Sequence, residues 1–267
     1  AMNVHLDGSD ASGTFDTASA GNVLIWGAQL EIRDLATAYT ATTTSPIVKY
    51  QPTLQTAASG EARFDHDPVT SESKGLLIEE SRANLFVRSY EFDNAAWSAQ
   101  DASVEADVAI APDGTQTACK LIADATYTSD HRIVETVVVT SGQNYTASVY
   151  AKAGPEYTAI TLHCYSAVVP SAGVTVDLSD GTASIRSALG DNVVAVGADP
   201  VGNGWYRIYV TLTTTASTTL FTAITVVDDY NQTPQAYTGD GYEGIFIWGA
   251  QLEQGSFPTS YIPTSGS

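Results

Sequence analysis

The chain is poor in the residues that most often announce a chemistry. It has two cysteines in 267 residues, Cys119 and Cys164, and neither has a second cysteine or a histidine at zinc-ligand spacing. A structural zinc site is therefore excluded, and two readings stay open: a pair of small buried apolar side chains in strands, or a single disulfide. Basic residues are equally scarce, 11 against 30 acids, for a formal charge of −19. A chain this acidic repels phosphate backbones and anionic bilayers, so nucleic acid and membrane are excluded as partners, and neutral ligands or cations fit better. No apolar run approaches the length of a membrane span, and no signal-peptide pattern opens the chain. There are four histidines, with no Gly-x-Ser-x-Gly elbow, no His-Glu-x-x-His, no phosphate loop and no glycine-rich dinucleotide fingerprint. Glu79 and Glu80 are neighbours in a strand-like run, so their carboxylates point to opposite faces and cannot flank one glycosidic bond. The expectation is a protein that is not an enzyme and uses no cofactor.

What the chain does have is a phrase written twice. Ile25 to Glu31 reads IWGAQLE, and Ile247 to Glu253 reads the same. The match runs on without insertion: Thr37 aligns with Thr259, Tyr39 with Tyr261 and Thr42 with Thr264. A repeat this regular places the end of one structural unit near the start of the chain and again at its finish. Residues 1–47 are thus expected to be the tail of an upstream copy, opened by an Ala1-Met2 that resembles a cloning scar, and residues 48–83 a Thr/Ser/Pro-rich linker followed by a hairpin. The hairpin arms are Arg63 to His66 and Gly75 to Glu80. Residues 84–267 are expected to be a complete module. Thr, Ser, Ala, Val and Tyr abound, with Gly or Pro every ten residues or so, a pattern of short strands and turns. Strands are expected at 119–122, 133–139, 145–152, 158–165, 173–178, 182–187, 205–213, 220–227 and 243–248, with Asp180-Gly181 in a hairpin turn. The fold class is all-β, a sandwich.

Alternation then sorts side chains by face. In YTASVYAK, Tyr145, Ala147, Val149 and Ala151 face a core, leaving Tyr150 and Lys152 opposite. In the strand from Trp205, Tyr206, Ile208, Val210 and Leu212 face inward, leaving Arg207 and Tyr209. Ile160, Leu162 and Cys164 leave His163 and Tyr165. Aromatic rings that pack on the C–H face of a pyranose, beside planar donors and acceptors for its hydroxyl rim, suit a saccharide. His131, beside Arg132, either lines the same groove or caps a strand, and Tyr230, with Asn231 and Gln232, is either a ligand rim or an ordinary turn. Trp26, Trp97 and Trp248 read as core, and Trp205 as either.

Asn84-Leu85-Phe86, followed by Ser89, Phe92 and Trp97, resembles the opening of jelly-roll carbohydrate-binding modules of families 4, 9 and 22; YTASVYAKAG and GWYRIYVTLT resemble their inner strands. The phrases RFDHDPVT, KGLLIEESRANL, VDLSDGTA, GNGWYR and IWGAQLEQGSFPTSYIPT, in that order, resemble modules near the ends of bacteriophage tail and head-fibre proteins. The resemblance spans about residues 63–267. It implies a jelly-roll β-sandwich in which the three strands are neighbours in one sheet, so that Tyr150, Lys152, His163, Tyr165, Arg207 and Tyr209 form one surface. It also implies a virion or extracellular protein that binds polysaccharide or cell-surface glycan. A homo-oligomer is expected, a trimer first, because phage fibres are commonly trimeric. The alternatives are a structural fibre module that binds nothing and an accessory module of a polysaccharide-degrading enzyme. Family 4-type modules often carry an Asp pair that binds calcium near their end; Trp248-Gly249 stands there instead, so no metal is expected. Glu91 and Asp93 remain as acidic groups near the opening turn, and Asp65-His66-Asp67 and Asp228-Asp229, which could hold a hard cation, read first as solvated turns in so acidic a chain.

Overall fold

The computed structural model describes residues 53–266 apart from 56, 59, 69, 71, 127, 186–191 and 231–235. The first copy of the repeated phrase and the upstream-copy reading of residues 1–47 lie outside the described residues. Gln51–Ser267 form one compact unit. Its elements are all strands: β1 (Phe64–His66), β2 (Ser73–Leu76), β3 (Ser98–Gln100), β4 (Ala102–Ala109), β5 (Ala118–Ala123), β6 (His131–Val139), β7 (Asn144–Lys152), β8 (Ala159–Tyr165), β9 (Ala172–Asp177), β10 (Ala183–Ile185), β11 (Val193–Gly202), β12 (Trp205–Thr213), β13 (Thr218–Val227) and β14 (Gly244–Gln254). β1 and β2 make a separate hairpin. The rest form two six-stranded antiparallel sheets: a front sheet ordered β10-β9-β8-β13-β6-β3 and a rear sheet ordered β11-β12-β7-β14-β5-β4. Packed face to face, they make a jelly-roll β-sandwich.

The inner faces carry the residues that alternation assigned. Ala147, Val149 and Ala151 of β7, Ile208, Val210 and Leu212 of β12, Ile160, Leu162 and Cys164 of β8, and Ile224 and Val226 of β13 are fully buried in one core. Both cysteines are free and buried, which settles the open choice against a disulfide. Burial raises both thiols, that of Cys164 to about 12, so they behave as apolar groups. Trp97 plugs one end of the core: its ring meets Phe86 at 5.2 Å and Phe92 at 5.0 Å, and its Nε1 donates to the Arg88 carbonyl at 2.8 Å.

Nine expected strands are present with ends shifted by a residue or two, except that the end of the strand expected at 182–187 lies outside the described residues and β14 runs six residues further than the apolar stretch suggested. Gly249-Ala250 is a bulge inside the strand: the register with β7 shifts between Trp248 and Gln251. Gly249 has φ +63°, and a Cβ there would lie 2.9 Å from the Tyr150 ring. Glycine therefore answers both a backbone and a packing demand, which accounts for its place in the phrase. β3, β4 and β11 were not expected. β11 contains Pro200 and Gly197, residues that weaken a strand signal, yet it is an edge strand, where a proline is tolerated. The Asp180-Gly181 turn does join β9 to β10, with Gly181 at φ +80°.

Candidate functional site

The expected single surface does not exist. β12 and β7 are neighbours, with Arg207 opposite Tyr150 and Tyr209 opposite Ser148, but β8 pairs with β9 and β13 in the other sheet. The chain crosses the sandwich between β7 and β8. His163 and Tyr165 therefore face away from Tyr150, Lys152, Arg207 and Tyr209, on the far side of the core. Identical alternation in two strands fixes inside and outside, and says nothing about which sheet each strand joins.

On the rear sheet, Tyr150 is only 2% exposed and Arg207 9%, so neither offers a free platform to a ligand. Their cover is the chain's own C-terminal segment. Arg207 Nη1 donates to the Thr259 carbonyl, and its Nη2 to Ser148 Oγ at 3.1 Å. The guanidinium sits 5.4 Å from the Tyr150 ring centroid, and Trp248 and Tyr261 close around the same ring at 5.4 and 6.0 Å. Trp205, 2% exposed, belongs to this second apolar cluster and is no platform either. Burial pushes the Tyr150 hydroxyl above its usual range.

The segment is held by a carboxylate clasp. Glu253, fully buried at the end of β14, accepts from Thr259 N at 2.9 Å, Thr259 Oγ1 at 2.6 Å and Gln251 Nε2 at 2.6 Å. Ile262 N donates to Gln251 Oε1 at 2.8 Å, and Ser260 donates through N and Oγ to Glu79 at 2.8 and 2.6 Å. Asn84 bridges the same layers by donating to the Ala250 and Ile262 carbonyls, each at 3.0 Å. The second copy of the repeated phrase, on a central strand of the rear sheet, thus anchors a cover for that sheet's outer face: Glu253 accepts from Thr259 and Gln251 from Ile262, which hold the segment after β14 in place.

The remaining expected site residues fall in three places. His131 is completely buried; its Nε2 donates to the Tyr237 carbonyl at 2.8 Å and the Tyr237 ring stands edge-on 4.5 Å away, so it caps a strand end and lines no groove. Tyr209 lies across Gly197 of the neighbouring edge strand, where a Cβ would fall 2.5 Å from its hydroxyl. Desolvation, with Asp199 nearby, raises that hydroxyl. Tyr230 is half-buried in the loop after β13 and joins none of the others; Asn231 and Gln232 lie outside the described residues.

His163 and Tyr165, half-buried on the outer face of the front sheet, do form a group. Their rings stack at 4.9 Å, and Tyr165 stacks in turn on Phe221 of β13 at 5.2 Å and 14°. Arg132 of β6 places its guanidinium 5.7 Å from the Tyr165 centroid, donates from Nε to Gln100 Oε1 at 2.8 Å and meets Asp130 at 3.6 Å. In the next rows the register lines up Thr175, Thr161 and Thr225, all deeply buried, ahead of Arg132 and Gln100. The result is a stiff aromatic column beside a fork of planar donors and acceptors. Phe221 and Gln100 were missed in the sequence. The parity that places Leu220 and Ile224 inside puts Phe221 outside, whereas Gln100 sits on a three-residue strand with no pattern of its own. Among the described residues no group of three His, Cys, Asp or Glu could hold a metal ion.

No family model and no curated protein matches this chain. Among solved structures it is similar to the enzymatically active domain of tailspike protein 4 from bacteriophage CBA120, with 14% identity and a TM-score of 0.39. That match covers 62% of this chain and 20% of the tailspike chain. It is also similar to the CBM22-1–GH10 modules of Clostridium thermocellum xylanase 10B, solved with xylohexaose, with 14% identity and a TM-score of 0.37; 68% of this chain and 29% of the xylanase chain are covered. The chain thus spans less than a third of either.

Proposed function

We propose that this is a non-catalytic polysaccharide-binding module of a phage virion fibre or tail protein, and that it binds through the outer face of the front sheet. The observation that carries the reading is the column of His163, Tyr165 and Phe221 flanked by Arg132, Gln100 and Asp130. The ring edges offer a rigid apolar surface to sugar C–H groups, and the guanidinium, amide and carboxylate offer both donors and acceptors to hydroxyls. The order of phrases from residue 63 to the C-terminus supports the virion setting, and a cell-surface or environmental glycan is the partner that setting implies.

Electrophoresis of the native protein through gels containing different polysaccharides tests the reading. Retardation in at least one neutral polysaccharide is expected, and Tyr165→Ala or Phe221→Ala should reduce it by about tenfold in affinity, the loss of roughly 1 to 2 kcal/mol of contact. Melting temperature should change little. Equal retardation of wild type and both variants would move the site elsewhere. Absence of retardation in every gel would favour a purely structural fibre module, a reading that the cover over Tyr150 and Arg207 also suits.

A further inference from the structure

The clasp leaves one row of the rear sheet partly open: Lys152, Phe246 and Lys120 are half-buried and Glu105 is exposed, while Trp205 at the end of the row is buried. Across β12, β7, β14, β5 and β4 the register aligns Trp205, Lys152, Phe246, Lys120 and Glu105, all with outward parity. The row alternates ring and cation, in a chain with 11 basic residues against 30 acids. Lys120 meets Glu105 at 3.5 Å, a loose pair whose carboxylate is 56% exposed. Lys152 has no carboxylate within ion-pair distance among the described residues. Its stem runs over Gly204, with Cε 3.5 Å from where a Cβ would stand, and the residue is half-buried. A half-desolvated ammonium without a counter-charge is costly unless something supplies one. Trp205, buried, walls one side, and the part-exposed Phe246 lies on the other.

We infer that this row is a second saccharide site, selective for a carboxylate-bearing sugar, with Lys152 pairing the carboxylate and Phe246 receiving the adjacent ring. Lys152 and Lys120 are two strands apart, roughly 10 Å, a span on the order of two linked sugar rings. The surrounding acidity disfavours long polyanions. At physiological ionic strength that field is screened beyond about 8 Å, so a short oligouronide is governed by the two lysines nearest to it. Desolvation already holds the Lys152 ammonium below its ordinary value, and a bound carboxylate reverses that shift.

The site lies on the opposite sheet from the ring column of the proposed function, so the two succeed or fail separately. Titration calorimetry with trigalacturonate and with neutral cellotriose, on wild type, Lys152→Met, Lys120→Met and Tyr165→Ala, tests it. The expected result is binding of trigalacturonate at least tenfold tighter than cellotriose, at least tenfold loss in Lys152→Met, a smaller loss in Lys120→Met, and no change in Tyr165→Ala. Protection of Lys152 from amine acetylation by trigalacturonate, read by mass spectrometry on the wild type, needs no variant to fold. No binding of trigalacturonate, equal binding by Lys152→Met, or Lys152 acetylated equally with and without trigalacturonate would overturn the inference.

Discussion

Glu135 shows how one side chain sets a pH dependence. It points inward from β6, is 5% exposed, accepts from Val87 N at 3.2 Å through one oxygen and leaves the other without a partner. Burial, only partly offset by that hydrogen bond, raises its carboxyl to about 7. A carboxyl whose folded value lies above its unfolded value favours the fold when protonated. Stability from this group is therefore complete below the ordinary value of 4.5, declines as pH rises, and is gone once pH passes about 7. Glu135→Gln should thus stabilise the protein at pH 8 by about 1 to 3 kcal/mol and change little at pH 4, measured by urea unfolding at both pH values. An equal effect at the two would show that the carboxyl titrates alike in the folded and unfolded chain. The cysteines are silent at this scale because both are buried and free.

Among the elements, the C-terminal clasp lays a further layer of contacts across the outer face of the rear sheet. Removing its acceptor is costly in a specific way. Glu253→Ala leaves Thr259 N, Thr259 Oγ1 and Gln251 Nε2 without their partner in a buried setting. The expected loss is about 3 kcal/mol or more in thermal or denaturant unfolding, with a red shift of tryptophan fluorescence as Trp248 and Tyr150 lose their cover. A loss below about 1 kcal/mol would mean that Glu79 and Asn84 hold the segment without it. The clasp explains why the repeated phrase continues past its apolar start: Gln, Glu, Thr and Tyr are each a partner of another part of the module. The sequence displayed the repetition; it could not display the partners, since Glu253 and Thr259 meet across a turn and Ser260 and Glu79 are 181 residues apart.

At the scale of the molecule the hairpin of β1 and β2 carries an apolar face with little cover. Phe64 and Leu76 are cross-strand partners, 62% and 56% exposed, and Ile78 just beyond is 82% exposed. A two-stranded hairpin is marginal alone, and the fibre resemblance implies several copies together. We therefore expect size exclusion with light scattering to give a multiple of 28.1 kDa, a trimer first, and Phe64→Ser with Leu76→Ser to return it to a single chain. A wild-type monomer would remove the hairpin from assembly.

The all-β class, most strands, and the inner and outer faces of β7, β8 and β12 were legible in the sequence. Those follow from periods of two and from turn residues, which are local. Only the tertiary structure decided which strands share a sheet, and so separated His163 and Tyr165 from Tyr150 and Arg207. It also decided that a tail lies over Tyr150 and Arg207, and that Phe221, Phe246 and Lys120 stand beside residues distant in the chain. Strand order and the path of a tail depend on contacts between residues far apart in sequence, and no local period records them.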